Sequence, residues 1–222
     1  MRPTNATGSD APSAPPGPDA GALRPVPRPR TGPWQLVREV LRDGGPGYLQ
    51  FAITNRCNAR CEFCGFAVDQ LDPKQRRSVT LAEARDVIDI CVRNHIGYLL
   101  LVGGEPLAHP DVRAMTRYAA ERGIRPMICT NGSLWTDRNM RELAADGLCS
   151  VIMSIDAPDA ARHEQSRGLP DVCRKIQRAN EVFARLGVQT TASIIASRLI
   201  EDYDRLPAFL TALGFRSCTF SY

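Results

Sequence analysis

The chain is 222 residues long, 43% hydrophobic, and carries a formal net charge of +4. That length bounds one domain with a tail, and no apolar run approaches the ~18 residues of a membrane span. The positive balance is mild, partly from Arg24, Arg28 and Arg30 and otherwise scattered, so it reads as a solvated surface and not as a nucleic-acid face.

The chain opens Met1-Arg2-Pro3-Thr4 with no apolar stretch of a secretory leader. A cytoplasmic protein with reduced thiols is therefore expected, and its eight cysteines are not read as a disulfide framework. Residues 1–33 are rich in Pro, Gly, Ala and Ser, including Pro12, Pro15, Pro16, Pro18, Pro25, Pro27 and Pro29. Such a stretch has little to bury against the entropy of ordering, which predicts a disordered N-terminal segment. Residues 34–47 are expected to form an N-terminal helix and linker. Its residues Trp34, Val37, Val40 and Leu41 share one face, which would pack on the outside or base of the core. The core itself is expected over 48–222.

Within that core, amphipathic stretches alternate with short apolar or β-branched ones. Strands are predicted at 48–53, 98–102, 126–129, 150–154, 190–194 and 217–221. Gly97, Gly123, Gly147, Gly187 and Gly214 each fall where a helix should close in a left-handed turn before a strand. The clearest helix starts at Thr80, which makes a capping box with Glu83 and leads into Ala84, Val87, Ile88, Cys91 and Val92 on one face. Cys91 is thus expected in the core. Runs such as Leu99-Leu100-Leu101-Val102 suit parallel strands covered on both faces. An eight-unit barrel takes ~250 residues. The shorter core here predicts an α/β fold, a partial, open TIM-like (β/α)6 barrel of parallel strands whose sixth unit is incomplete. A doubly wound sheet is the alternative.

The chemistry-bearing residues follow the strands, as in barrels that build sites at strand C-terminal ends. After the first strand comes Cys57-Asn-Ala-Arg-Cys61-Glu-Phe-Cys64. Three thiolates at this spacing can converge on one soft-metal site, yet they are one fewer than a saturated iron–sulfur or zinc site needs, which leaves a position for an exogenous ligand. A zinc site completed by a distant His or Cys remains an alternative. After the second strand comes Gly103-Gly104-Glu105-Pro106, after the third Thr130-Asn131-Gly132, and Ser154-Ile155-Asp156 closes the fourth. Cys129, Cys149, Cys173 and Cys218 share no metal-like spacing. Cys129, Cys149 and Cys218 are read as small buried residues of strands.

The Cys-x3-Cys-x2-Cys run, with Phe63 before its last cysteine, resembles the radical S-adenosylmethionine (SAM) superfamily. The later motifs resemble its branch of molybdenum-cofactor and peptide-modifying enzymes, and the chain looks C-terminally truncated against that family. The resemblance implies the same partial barrel, with Cys57, Cys61 and Cys64 holding a [4Fe–4S] cluster and SAM on the fourth iron. It implies that Gly103, Gly104 and Glu105 receive the SAM amine, through close carbonyls and the Glu105 carboxylate. Ser154 and Arg167 would hold the SAM carboxylate, the latter as a bidentate fork. Asp156 would reach the ribose hydroxyls or cap the next helix, and Asn131 would bond the adenosine or form a plain Asn-Gly turn. His163 falls at a family His but reads equally as a structural hydrogen-bond partner. Ser197 and Arg198 are weaker candidates for SAM contacts, and Ile194-Ile195 would pack on adenine. A Val at position 104 is expected to spare the cluster and weaken SAM binding.

The activity so implied is reductive cleavage of SAM to a 5′-deoxyadenosyl radical that abstracts hydrogen from a substrate, a peptide or natural-product small molecule. A low-potential donor of flavodoxin or ferredoxin type is implied as partner. The alternatives are a non-catalytic iron–sulfur carrier or sensor and a zinc-stabilised βα domain.

Overall fold

The computed structural model of the protein describes residues 25–26, 33–44 and 47–221. Of the segment 1–33, Pro25, Val26 and Pro33 lie within the described residues, and the expectation of disorder falls outside them. Helix α1 (Pro33–Asp43) leads into strand β1 (Gly47–Thr54), followed by α2 (Leu81–Arg93), β2 (Ile96–Gly103), α3 (Val112–Glu121), β3 (Arg125–Thr130) and α4 (Asp137–Ala145). Then come β4 (Ser150–Ile155), α5 (Ala160–Arg167), α6 (Val172–Leu186), β5 (Gln189–Ile195), α7 (Leu206–Ala212) and β6 (Cys218–Ser221). The six strands pair in sequence order, all parallel, into one sheet. This is the open half-barrel expected, not a doubly wound sheet, because consecutive strands are always neighbours and never reverse order.

Side chains alternate across each strand, and the parallel register carries that alternation from strand to strand. One set, with Leu99, Leu101, Ile128, Val151, Met153, Ile155, Ala192 and Ile194, faces the helices and is at most 1% exposed. These residues meet Ile88 and Cys91 of α2, Met115 of α3, Met140 and Leu143 of α4, and Phe183 of α6 in one core. Trp135 sets its ring edge-on to Phe183 at 5.0 Å between centroids. Burying each such aliphatic or aromatic side chain contributes roughly 1.5–3 kcal/mol. The other set faces an open lumen. In it Tyr48 lies beside Tyr98, Leu100 beside Met127, Cys129 beside Ile152, and Ser154 beside Ser193.

The capping box at Thr80 and Glu83 forms as its spacing predicts, with the Glu83 amide donating to the Thr80 hydroxyl and the Thr80 amide to the Glu83 carboxylate. A second, Thr136 with Asn139, starts α4. Gly123, Gly147, Gly187 and Gly214 take positive φ as predicted, but Gly97 does not. His95 does so instead at φ 55°, because Ile96 already pairs with Gly47 and the turn must be complete one residue earlier.

Helix α1 meets the base of the barrel, but not through the apolar face expected. Trp34 and Leu41 are 83% and 81% exposed, so the helix is not seated by its apolar face. Its described tie to the barrel is an ion pair, Glu39 to Arg125 at 3.0 Å, at the start of β3. Close by, Val26 donates its amide to the Ala145 carbonyl at 2.9 Å. Cys91 is fully buried, whereas Cys218 lies on β6, which is exposed along its length, and Cys149, which precedes β4, is half-buried.

Candidate cofactor site at the strand C-terminal rim

The cysteines sit on a long excursion between β1 and α2 that closes on itself at a neck. The Asn55 amide donates to the Arg77 carbonyl, the Arg77 amide returns to Asn55 Oδ1 at 2.6 Å, and Asn55 Nδ2 donates to the Gln75 carbonyl. An antiparallel bridge, Thr54 with Ser78, continues this pairing, and the two hydroxyls bond at 2.8 Å. Inside the loop, Ala59 and Ala67 are 2% and 1% exposed and anchor it, while the Val68 amide bonds the Ala59 carbonyl. All three thiols are free, with Cys61 buried and Cys57 and Cys64 half-buried. Burial raises the pKa of Cys57 and pushes Cys61 up to about 11.

The glycines of Gly103-Gly104 are required by this loop. A Cβ on Gly104 would lie 2.2 Å from the Arg56 carbonyl oxygen, and one on Gly103, at φ 142°, would lie 2.0 Å from that of Thr54. The Gly104 and Glu105 amides donate to those same two carbonyls, both at 2.7 Å. The glycines therefore let the end of β2 lie directly on the entrance to the cysteine loop, and Val at 104 would displace the loop itself, contrary to the expectation above.

Glu105 is tied into the protein by internal bonds. It is fully buried, and its carboxylate accepts from Thr130 Oγ1 at 2.7 Å, the Asn131 amide at 2.8 Å and the Leu107 amide at 3.0 Å. Burial raises its pKa against the pull of those donors. Its two oxygens join the β2 and β3 loops through these bonds. Asn131 is 5% exposed, and its side chain bonds Ser133, Asn58 and Cys57.

Asp156 and Arg167 pair with each other. Asp156 is 1% exposed and grips Arg167 through both oxygens, Nε to Oδ2 and Nη2 to Oδ1 at 2.7 Å each, while Ser166 Oγ adds a third bond. It does not cap α5, whose cap is Asp159. Arg167 makes its fork with Asp156, and its carbonyl holds the Arg60 amide of the cysteine loop at 2.8 Å. His163 is structural: fully buried, it accepts the Asp156 amide on Nδ1 at 3.2 Å. Ser154 lies half-buried on the lumen face at the end of β4. Ser197 Oγ accepts the Leu199 amide and Arg198 is exposed. Of the two isoleucines Ile195 faces the lumen, while Ile194 is buried under the helices.

Sequence reasoning passed over Asn55, Asn58, Ser133 and Lys175, whose Nζ donates to the Ser133 carbonyl at 2.8 Å. Asn58 and Asn131 are 73 residues apart, and no local pattern marks their meeting.

Among the described residues no three Cys, His, Asp or Glu side chains close around a point that would hold a single metal ion. The donor set suits a larger inorganic group: three thiols on one pinned loop, with the Ala59 amide donating to Cys57 Sγ at 3.4 Å. Iron–sulfur clusters are held by thiolates and tuned by such bonds to sulfur.

An open parallel half-barrel with a three-thiol loop on its strand C-terminal rim defines the class. The chain matches the model of the radical SAM superfamily over residues 51–205 and belongs to that superfamily, whose cofactors are a [4Fe–4S] cluster and SAM. It is 32% identical over 146 residues to an AdoMet-dependent heme synthase of Methanosarcina barkeri, covering 66% of this chain and 41% of that one. To the mycofactocin maturase of Mycolicibacterium smegmatis it is 27% identical over 190 residues, covering 85% and 45%. Its fold resembles Streptococcus suis SuiB bound to SAM, with a TM-score of 0.64 at 18% identity, covering 84% of this chain and 44% of that one. The chain spans less than half the length of each of these relatives.

Proposed function

We propose that the protein is a radical SAM enzyme. The observation that carries this is the cysteine loop, pinned at Asn55 and Arg77 and laid by Gly103 and Gly104 onto the rim above an open lumen. Cys57, Cys61 and Cys64 would hold the cluster. The Gly103-Gly104 main chain would receive the SAM amine, and Ser154 with Arg167 Nη1, the guanidinium nitrogen outside the Asp156 fork, would receive its carboxylate. When bound, the pair supplies one-electron cleavage of SAM and a 5′-deoxyadenosyl radical, for which a low-potential carrier of flavodoxin or ferredoxin type delivers the electron. The chain's own part is to hold the thiolates, orient SAM and exclude water. No helix among the described residues is long and apolar enough to cross a membrane, which fits a cytoplasmic site of action.

The substrate proposed with this reading is a peptide or natural-product small molecule, the class the family resemblance implies. Ser150, Gln189, Thr191 and Thr219 line a cavity of about 400 Å³ opposite Tyr98, Met127 and Ile152, at the strands' N-terminal ends and so at the floor of the half-barrel, away from the thiols. The charged residue on that lining, Arg125, is paired with Glu39 and stacked on Tyr98 at 4.6 Å. SuiB is itself described bound to its precursor peptide SuiA.

Anaerobic reconstitution with iron and sulfide, followed by electron paramagnetic resonance of the dithionite-reduced protein with and without SAM, tests the reading. A cluster signal that shifts on adding SAM, with 5′-deoxyadenosine formed, is expected. A cluster indifferent to SAM would return the protein to the electron-carrier class.

A further inference from the structure

We infer that Asn131 acts on the iron–sulfur cluster, as a positioning residue that donates a hydrogen bond to the sulfur of Cys57, and not on the nucleoside of SAM; this rests on the cluster assignment made above. The argument is one of valence. An asparagine side chain offers two N–H donors and one carbonyl oxygen with two lone pairs. Asn131 Oδ1 accepts from the Ser133 amide at 2.9 Å and from Ser133 Oγ at 2.6 Å. The Ser133 main-chain nitrogen can only donate, so it fixes which end of the Asn131 amide is oxygen. Nδ2 therefore faces the cysteine loop, where it donates to Asn58 Oδ1 at 2.9 Å and lies 4.0 Å from Cys57 Sγ. Both donors and both lone pairs are then engaged within the protein, and nothing remains for adenosine.

The rest of the network serves the same end. Asn58 Nδ2 donates to Ser133 Oγ at 2.8 Å, which closes a ring of three side chains, Asn131, Asn58 and Ser133, between the β3 loop and the cysteine loop. The Asn131 amide is held from below by the buried Glu105 carboxylate, and the Ser133 carbonyl from the side by Lys175. A side chain so fixed keeps its N–H aimed at one sulfur. Together with the Ala59 amide it makes Cys57 a thiolate with two N–H neighbours. Such bonds stabilise the more negative, reduced cluster and raise its potential.

The test is the midpoint potential of the reconstituted chain measured without SAM, a quantity that a nucleoside contact cannot move. Asn131→Ala is expected to shift it to more negative values, and Asn131→Asp, which keeps the acceptor but sets an oxygen against the sulfur, to shift it further. Ser133→Ala, which loosens the ring and leaves Asn131 in place, shifts it in the same direction by less and decides the matter if the Asn131 variants do not hold iron. SAM affinity of Ser133→Ala stays within about twofold of the parent. Unchanged potentials in all variants that carry a cluster overturn the inference. A parent chain that takes up no iron overturns instead the cluster assignment beneath it.

Discussion

Arg167 and Asp156, 6% and 1% exposed, face each other with two bonds of 2.7 Å, and the same arginine's carbonyl holds the amide of Arg60 on the cysteine loop. A buried ion pair thus fixes the end of α5 and, through it, the loop that carries the thiols.

Removing one member of that pair should be costly. Asp156→Ala leaves a buried guanidinium uncompensated, which typically costs about 3–5 kcal/mol. Urea unfolding should show this loss, and the double substitution Asp156→Leu with Arg167→Met should recover much of it. A single-variant cost below about 1 kcal/mol would show that the pair is not desolvated as described.

Gly104→Val is expected to lose iron as well as SAM. Its Cβ would meet the Arg56 carbonyl at 2.2 Å, main chain against side chain, with no flexible group to yield. Iron and sulfide content after reconstitution is the measurement. A full cluster in this variant would mean that the glycine serves SAM alone.

Stability should fall with acid through His163. Burial, reinforced by the Arg167 charge, lowers its pKa from 6.5 to about 4, outweighing Asp156. Between those values the unfolded chain holds a proton that the native ring lacks, so stability is full above about pH 6.5 and declines on the way down to pH 4, by about 3 kcal/mol. His163→Gln keeps a hydrogen-bond acceptor without the titration. An unaltered slope of unfolding free energy over that range in this variant would reject the assignment.

Asn55→Ala should open the neck of the cysteine loop and leave the barrel intact. It deletes two bonds, to the Gln75 carbonyl and from the Arg77 amide, at roughly 1 kcal/mol each. Faster tryptic cleavage at Lys74 to Arg77 is expected, with Tm little changed. Equal cleavage rates in the two proteins would remove Asn55 from the closure.

Much of the fold was legible because the barrel is built from local signals. The Thr80 capping box, the left-handed glycines and the runs of Leu and Ile each act within a few residues, and the strand order follows from chain order. The cysteine spacing was legible for the same reason. The neighbours of the cofactor were less so. Glu105, Asp156 and Asn131 are polar residues on the right loops, and sequence position assigns them to the ligand. In the structure each is bonded to another loop or helix end, because buried polar groups this close to a cluster loop must first satisfy one another. That pairing spans from 11 residues for Asp156 with Arg167 to 73 for Asn58 with Asn131, beyond any local pattern.

The contacts of Val26 with Ala145 and of Glu39 with Arg125 place Val26 and α1 at the floor of the half-barrel, the end away from the thiols. A tether attached ahead of α1 would accordingly hold the molecule by its floor. Immobilised that way on an electrode or sensor chip, the protein would present its rim to solution, open to reductant and substrate together, whereas coupling through the cysteine loop would blind it.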